Sequence, residues 1–404
     1  VIAARLRRAA ARTRVLGLAG AFAAALAAAC GSSSRPLARG QTVQVGDASV
    51  AFRVVPVADD LRFPLSMAFL PNGDLLVAEK AGTLRRVSNG VASATPIAGV
   101  PPVMSDGQGG LHEVALHPDF ATNGLVYLAY AKAMDGGRAT TALARGRLEG
   151  EALVDVEELF VARTNSTAGQ HFGGRIAFDG AGHLFLSVGD RGASPSGDLE
   201  RHPAQDRSNH QGTIVRLTLD GAVPTDNPFV GRPGVLPEIW SYGHRNPQGL
   251  VYDRATGTLW ETEHGPRGGD ELNLVQPGRN YGWPVITYGR NYSGTSITRE
   301  TARDGMEQPV TYWVPSIATS GLLLYTGDAF PEWRGSLFVG GLAGEQLARV
   351  SVQGSTKTGE ETLLRGTVGR IRDVRQGPDG FVYLALDRSG GPGTIVRLEP
   401  AAAP

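Results

Sequence analysis

The segment "SYGHRNPQGL" sets His244, Arg245 and Asn246 side by side and follows them with Pro247. A guanidinium offers a fixed fork of donors suited to carboxylate or quinone oxygens, and a carboxamide adds donors and an acceptor. Proline has no amide hydrogen, so Pro247 ends backbone pairing where Arg245 and Asn246 need to turn inward. The plainer reading is a hydrogen-bonded cluster that only supports a loop. A second segment, "GQHFGGRIAF", puts His171 ahead of two glycines and a strand, and "SVGDRG" downstream carries Asp190. That carboxylate holds the imidazole in one tautomer if the two meet in space. Taken alone, His171 reads as a loop histidine without a duty.

Two further stretches have different chemistry. In "TEHGPRGGDELN", Gly265 lets the backbone turn and Pro266 lacks an amide hydrogen, so both carbonyls are free to face a hard cation such as calcium. The neighbouring Asp270 and Glu271 either serve a second cation or face solvent. In "GRIRDV", Arg370 and Arg372 stand two apart in a strand and so face one side. Like charges so placed repel unless an anion lies between them. On a solvent face the pair means little; on a channel it describes a pocket for a small polycarboxylate.

Something must bring these distant groups together. Among 404 residues there are 55 glycines and 25 prolines, without a collagen-like period, which points to many tight turns between short strands. One pattern returns six times: an alternating apolar stretch, a turn on Asp, Asn or Gly, then a β-rich run, as in "PLSMAFLPNGDLLVAEKAGTLRRV" and "IRDVRQGPDGFVYLALD". Its spacing of about 45 to 80 residues, with no amphipathic helix between copies, predicts an all-β, six-bladed β-propeller with four-stranded antiparallel blades. Residues beside the innermost strands then converge on one end of the axis. These are Gln108, His171, residues 244–246, the loop after Glu263, Ser316–Gly321 and Arg370–Asp373. "VAFRVVPV" and "GTIVRLEP", at the two ends, are expected to pair within one blade and close the ring.

The N-terminal stretch reads differently. Residues 1–30 combine an arginine-rich start, an apolar run from Val15 to Ala29 and then Cys30, which reads as an export signal of lipoprotein type, with Leu26 one place early for the usual box. A Gly-Ser linker over 31–42 follows, and the propeller occupies 43–400. The expected location is the periplasm or cell envelope, with membrane contact only through a lipid on Cys30. Lys plus Arg and Asp plus Glu both number 39, so no global field draws the chain to nucleic acid. One cysteine permits no internal disulfide.

Taken together and in order, "GQGGLHEVALHPDF", "GQHFGGRIAF", "SYGHRNPQGL", "EHGPRGGDELNL", "PSIATSGLLLYTG" and "GRIRDV" resemble the bacterial glucose/sorbosone dehydrogenase family, the soluble quinoprotein aldose sugar dehydrogenases, over roughly residues 50–398. The resemblance implies a propeller that holds pyrroloquinoline quinone (PQQ) and calcium over its channel. It implies oxidation of aldose sugars at the anomeric carbon to lactones, with hydride passing to the quinone and electrons to an external acceptor. By motif, His171 matches the general base, Arg245 and Asn246 match holders of the quinone oxygens, and Gln108 matches a cofactor and substrate contact. Arg370 and Arg372 match ligands of the cofactor carboxylates, and Asp190 is the candidate partner of His171. The carbonyls of Gly265 and Pro266 match a calcium site beside the cofactor; Glu271 and the Tyr281 carbonyl match a second, structural one. The chain departs from the pattern at Ala343, where well-known members carry a lysine, and at Gln170, where a glucose-oxidising relative has aspartate. No CxxCH motif is present, so the resemblance comes without a built-in c-type haem. Two other readings fit a propeller: a calcium-dependent lactonase, and a binding module without catalysis.

Overall fold

Each repeated motif folds as an antiparallel meander because its apolar residues alternate and its turn residues accept positive φ. In the first, the turn "LPNGD" closes with the Leu70 amide 2.8 Å from the Asp74 carbonyl, and Gly73 sits at φ +89°. Only glycine takes that conformation without strain. The computed structural model describes residues 42–45, 48–387 and 392–401. The expected export segment with Cys30, and linker residues 31–41, lie outside the described residues.

Six sheets follow one another along the chain. Blade 1 comprises Pro64–Phe69, Leu75–Glu79, Leu84–Ser88 and Val91–Ala92. Blade 2 runs through Leu111–Leu116, Leu125–Ala133, Ala139–Glu149 and Ala152–Val161. Blade 3 is Ile176–Phe178, His183–Val188, Thr213–Thr218 and Ile239–Tyr242; blade 4 is Pro247–Asp253, Thr258–Glu263, Asp270–Val275 and Thr311–Trp313. Blade 5 contains Thr319–Leu324, Leu337–Gly341, Gln346–Gln353 and Thr356–Leu363. Blade 6 takes Arg370–Gln376, Val382–Asp387 and Gly393–Pro400 from the C-terminal end and Phe52–Leu61 from the other. The register runs from Phe52 opposite Pro400 to Leu61 opposite Gly393, and this pairing closes the ring. Val43–Val45 adds a fifth strand to that sheet alone.

The core lies between blades. Leu76, Leu84, Leu111, Val114 and Leu128 fill the space between blades 1 and 2. Trp333, Phe338, Leu347, Val374 and Leu384 do so between blades 5 and 6. Each such side chain stabilises the fold by about 1.5–3 kcal/mol relative to exposure. The described α-helix is the single turn Phe120–Asn123, and no helix among the described residues is long and apolar enough to cross a membrane.

The first strand of each blade is innermost, and those of blades 3 to 6, 1 and 2 contact one another in turn around the axis. Polar groups fill the centre. Arg175 Nη1 lies 2.9 Å from Glu113 Oε2 and 3.4 Å from Asp373 Oδ1, and Arg375 bridges the same two carboxylates from the other side. Two guanidiniums against two carboxylates make a balanced buried network, which costs far less than any one of them alone.

Candidate active site

His171 stands where the chain enters blade 3, at φ +55°. A non-glycine residue in that region stores strain, which the surroundings offset. Its amide donates to Gln108 Oε1 at 2.9 Å, and its carbonyl approaches Gly189 so closely that a Cβ there would lie 2.2 Å from it. The structure brings His171 and Asp190 together: Nδ1 is 2.7 Å from Asp190 Oδ1. Asp190 is fully buried, and also accepts from the Gly192 amide and from Trp283 Nε1, each at 2.8 Å. Burial alone would lift its carboxyl, but the hydrogen bond and charge of His171, with Arg245 nearby, hold it below the usual range. An ionised Asp190 keeps the proton on Nδ1, which leaves Nε2 as the ring's acceptor.

Arg191, which the sequence did not single out, clamps the loop that carries His171. Its guanidinium donates to the carbonyls of Gln170 and Ala168 and lies 3.4 Å from the centre of the Phe172 ring. Burial pulls its pKa down to about 10, so it stays charged at neutral pH.

Arg245 and Asn246 are buried where the chain enters blade 4, and Glu263 accepts from both of their amides. Arg245 Nη1 donates to the carbonyls of His264 at 2.9 Å and Gly265 at 3.1 Å, and its guanidinium lies over Trp283. The Gly265 carbonyl, one of the two matched to calcium, thus already accepts one donor and retains a second lone pair. Asn246 Oδ1 accepts from the Gly173 amide at 3.3 Å and Gln248 Nε2 at 3.2 Å, so its NH₂ is the end free for a ligand.

Asp270 faces neither solvent nor an open cation site, one correction to the sequence reading. It is fully buried and accepts from the amides of Gly265 and Ala318 and from the Ser316 hydroxyl, tying the Gly265 turn to blade 5. Pro266 is buried on that turn. Glu271 and Tyr281 lie elsewhere, behind the Arg245 peptide: Glu271 accepts from Asn273, and the Tyr281 ring stacks on His244.

The axial end holds a cavity of about 530 Å³. Gln108, Asn246, Arg370 and Arg372 line it, with Lys80, Arg175 and His112; among the described residues no carboxylate does, and His171 and Arg245 are not part of the lining although their neighbours Phe172 and Asn246 are. The anion expected between Arg370 and Arg372 is the protein's own Asp387, fully screened from solvent at 2 % exposure. Arg370 Nε is 3.3 Å from its Oδ1, and Arg372 Nη2 is 2.7 Å from its Oδ2. One carboxylate shared by two guanidiniums orients both and leaves the cavity electropositive. At Ala343 there is no cation; Lys80, from blade 1, supplies one to the same cavity, with its Nζ 2.5 Å from the Ser105 carbonyl.

His112 is a further lining group; it lies within the "GQGGLHEVALHPDF" segment, but the sequence assigns it no role there. Its ring stacks on Phe172 and its buried Nε2 has no protein partner. Burial, with Arg175 and Arg191 nearby, lowers its pKa to about 3. An unfolded chain therefore binds one more proton than the folded one between about 3 and 6.5. Its contribution is complete above pH 6.5 and declines on acidification by about 1.4 kcal/mol per pH unit. Urea unfolding of wild type and His112→Leu across that window should show the variant with the shallower dependence; parallel curves would contradict it.

The protein thus combines an electropositive axial cavity with a buried imidazole–carboxylate pair in one six-bladed propeller. The chain belongs to the glucose/sorbosone dehydrogenase family, whose profile matches residues 61–397. Aldose sugar dehydrogenase YliI of Escherichia coli K12 is 43% identical over 358 residues, covering 87% of this chain and 94% of that protein. The crystal structure of the soluble aldose sugar dehydrogenase from Escherichia coli in the apo form superposes with a TM-score of 0.81 at 42% identity, over 87% of this chain and 100% of that one. The PQQ-bound aldose sugar dehydrogenase from Streptomyces coelicolor gives 0.70 at 31% identity, over 90% and 99%. The protein is thus an oxidoreductase of the sugar dehydrogenase type.

Proposed function

We propose that this protein oxidises aldoses at the anomeric carbon to lactones, with PQQ and calcium as cofactors and an external electron acceptor. The observation that carries this is the His171–Asp190 pair, whose neighbours Gln108 and Phe172 line the axial cavity together with Asn246, Arg370 and Arg372. The cavity's donor set suits PQQ: guanidiniums and Lys80 for carboxylates, the Asn246 amide, with Arg245 next to it in the chain, for quinone oxygens, and an unpartnered His112 Nε2. The Streptomyces coelicolor relative, solved with PQQ bound, supports the same choice.

An alcohol carbon gives up hydride readily only as its hydroxyl proton leaves. His171 Nε2 takes that proton, with Asp190 holding the ring and stabilising the imidazolium. Arg245, anchored through two carbonyls, offers positive charge where negative charge grows on the acceptor. When bound, PQQ supplies the two-electron acceptor that no amino-acid side chain provides. The carbonyls of Gly265 and Pro266 would hold calcium near it, and Glu271 with the Tyr281 carbonyl a structural calcium. The N-terminal segment would export the chain to the envelope and anchor it through Cys30.

The test is reconstitution. Metal-free protein receives calcium and PQQ, and reduction of a dye is followed with a panel of aldoses. Dye reduction that requires both additions, with lactone as product, is expected. Lactone hydrolysis without quinone would make the protein a hydrolase, and quinone binding without turnover a binding module.

A further inference from the structure

Behind the Arg245–Asn246 peptide, one face of blade 4 gathers three carboxylates with no cationic side chain among them. Glu261 and Glu263 stand opposite Asn273 and Glu271 on the neighbouring strand, so the four side chains share a face. His244 reaches in from the preceding turn, with Nδ1 3.5 Å from Glu263 Oε1 and 4.0 Å from Glu261 Oε2. His244 and Glu261 are 0% exposed and Glu263 3%. One donor stands among the carboxylates: Asn273 Nδ2, at 3.1 Å from Glu261, 3.5 Å from Glu263 and 3.3 Å from Glu271. Three buried polar atoms, His244 Nδ1, Glu261 Oε1 and Asn273 Oδ1, have no hydrogen-bond partner among the described residues. Among the described residues no lysine or arginine side chain pairs with any of the three glutamates.

Each unpartnered buried group costs about 1–3 kcal/mol, and buried like charges cost more. A proton between these groups does not close the gap, since His244 Nδ1 lies 3.5 Å from Glu263 Oε1 and 4.0 Å from Glu261 Oε2 and hydrogen-bonds to neither. A metal does what the proton does not, because ligands about 2.0–2.2 Å from a common ion lie roughly 3.4 Å apart. The three candidate ligand atoms lie within 4.8 Å of one another.

We propose that His244 Nδ1 and the carboxylates of Glu261 and Glu263 form a buried site for one divalent first-row metal of the zinc type. Asn273, its amide turned end for end, supplies the fourth ligand through Oδ1. The imidazole selects a borderline metal over calcium, which takes oxygen ligands. None of the four is among the ligands that the family resemblance implies for calcium. The ion would sit directly under the quinone-facing peptide, since the other oxygen of Glu263 holds the amides of Arg245 and Asn246.

The test needs neither sugar nor quinone. The full chain is stripped with chelator, then titrated separately with Zn²⁺, Co²⁺ and Ca²⁺. About one equivalent of Zn²⁺ retained on dialysis, a raised Tm and a visible Co²⁺ band of a four-coordinate nitrogen and oxygen site are expected. His244→Ile with Glu261→Leu fills the site with apolar side chains, a replacement that buried ion clusters often tolerate. It should fold, lose the Zn²⁺ equivalent and keep any calcium held at Glu271. Should it fail to fold, Glu261→Gln removes one charge at nearly constant shape and should weaken Zn²⁺ binding at least tenfold. Wild type holding no more Zn²⁺ or Co²⁺ than the variants, or Ca²⁺ filling the site as readily, would overturn the proposal.

Discussion

His171→Asn lowers sugar-dependent dye reduction by roughly 10²–10⁴-fold and leaves PQQ affinity near the wild-type value. Asparagine tolerates the φ of +55° that this position imposes, so the backbone stays in place while the base is lost. The His171 amide keeps its bond to Gln108 and its carbonyl keeps its place against Gly189, since neither uses the ring. Nothing in the variant touches Arg370, Arg372 or Asn246, which carry the cavity's donors. The readout is therefore a fall in kcat at unchanged quinone Kd. Full activity in the variant would remove His171 as the base.

Asp190→Asn has the second largest effect. Both oxygens of Asp190 are acceptors: Oδ1 from His171 Nδ1–H and the Gly192 amide, Oδ2 from Trp283 Nε1–H. An amide nitrogen placed at either position faces a donor, so the variant buries a mismatch of about 1–3 kcal/mol. To escape it the imidazole takes the other tautomer, with its proton on Nε2, where it no longer accepts one from the sugar. Turnover is expected to drop by about 10²-fold or more, with sugar KM and quinone affinity changing little. Steady-state kinetics beside a quinone titration separate this from a structural lesion, which would move all three quantities. A variant with wild-type kcat would show that Asp190 does not position the base.

What could be read from residues alone follows the range of the interaction. Strand alternation and turn chemistry are local, so six repeats and a closing pair formed from "VAFRVVPV" and "GTIVRLEP" were legible, and the closing strands indeed pair from Phe52 to Leu61. The fifth strand of that sheet was not, since Val43–Val45 has only three residues of pattern. Within the site, Gln108, Asn246, Arg370 and Arg372 were legible as residues that line the axial cavity, because a propeller sends groups beside its innermost strands to one end of its axis. Their partners were not. The Arg370–Arg372 pair meets Asp387 because Arg370 stands directly opposite it on the neighbouring strand, and cross-strand register leaves no local trace in the sequence. Lys80 reaches the cavity from another blade, and Arg191 grips a loop some twenty residues upstream, both through tertiary approach. Asp270 shows the converse error: an Asp–Glu pair on a turn usually faces water, but here the amides of two loops surround the aspartate. His244 likewise sits in a loop motif yet is wholly buried against Tyr281.

The most direct test of PQQ-dependent sugar oxidation at the propeller axis is a crystal structure of the protein soaked with PQQ and calcium. Quinone density in the axial cavity is expected, its carboxylates against Arg370 and Arg372 and its quinone oxygens within reach of Arg245 and Asn246, with His171 Nε2 facing the space left for a sugar. Quinone bound away from the axis, or a cavity that stays empty of it at saturating concentration, would contradict that reading.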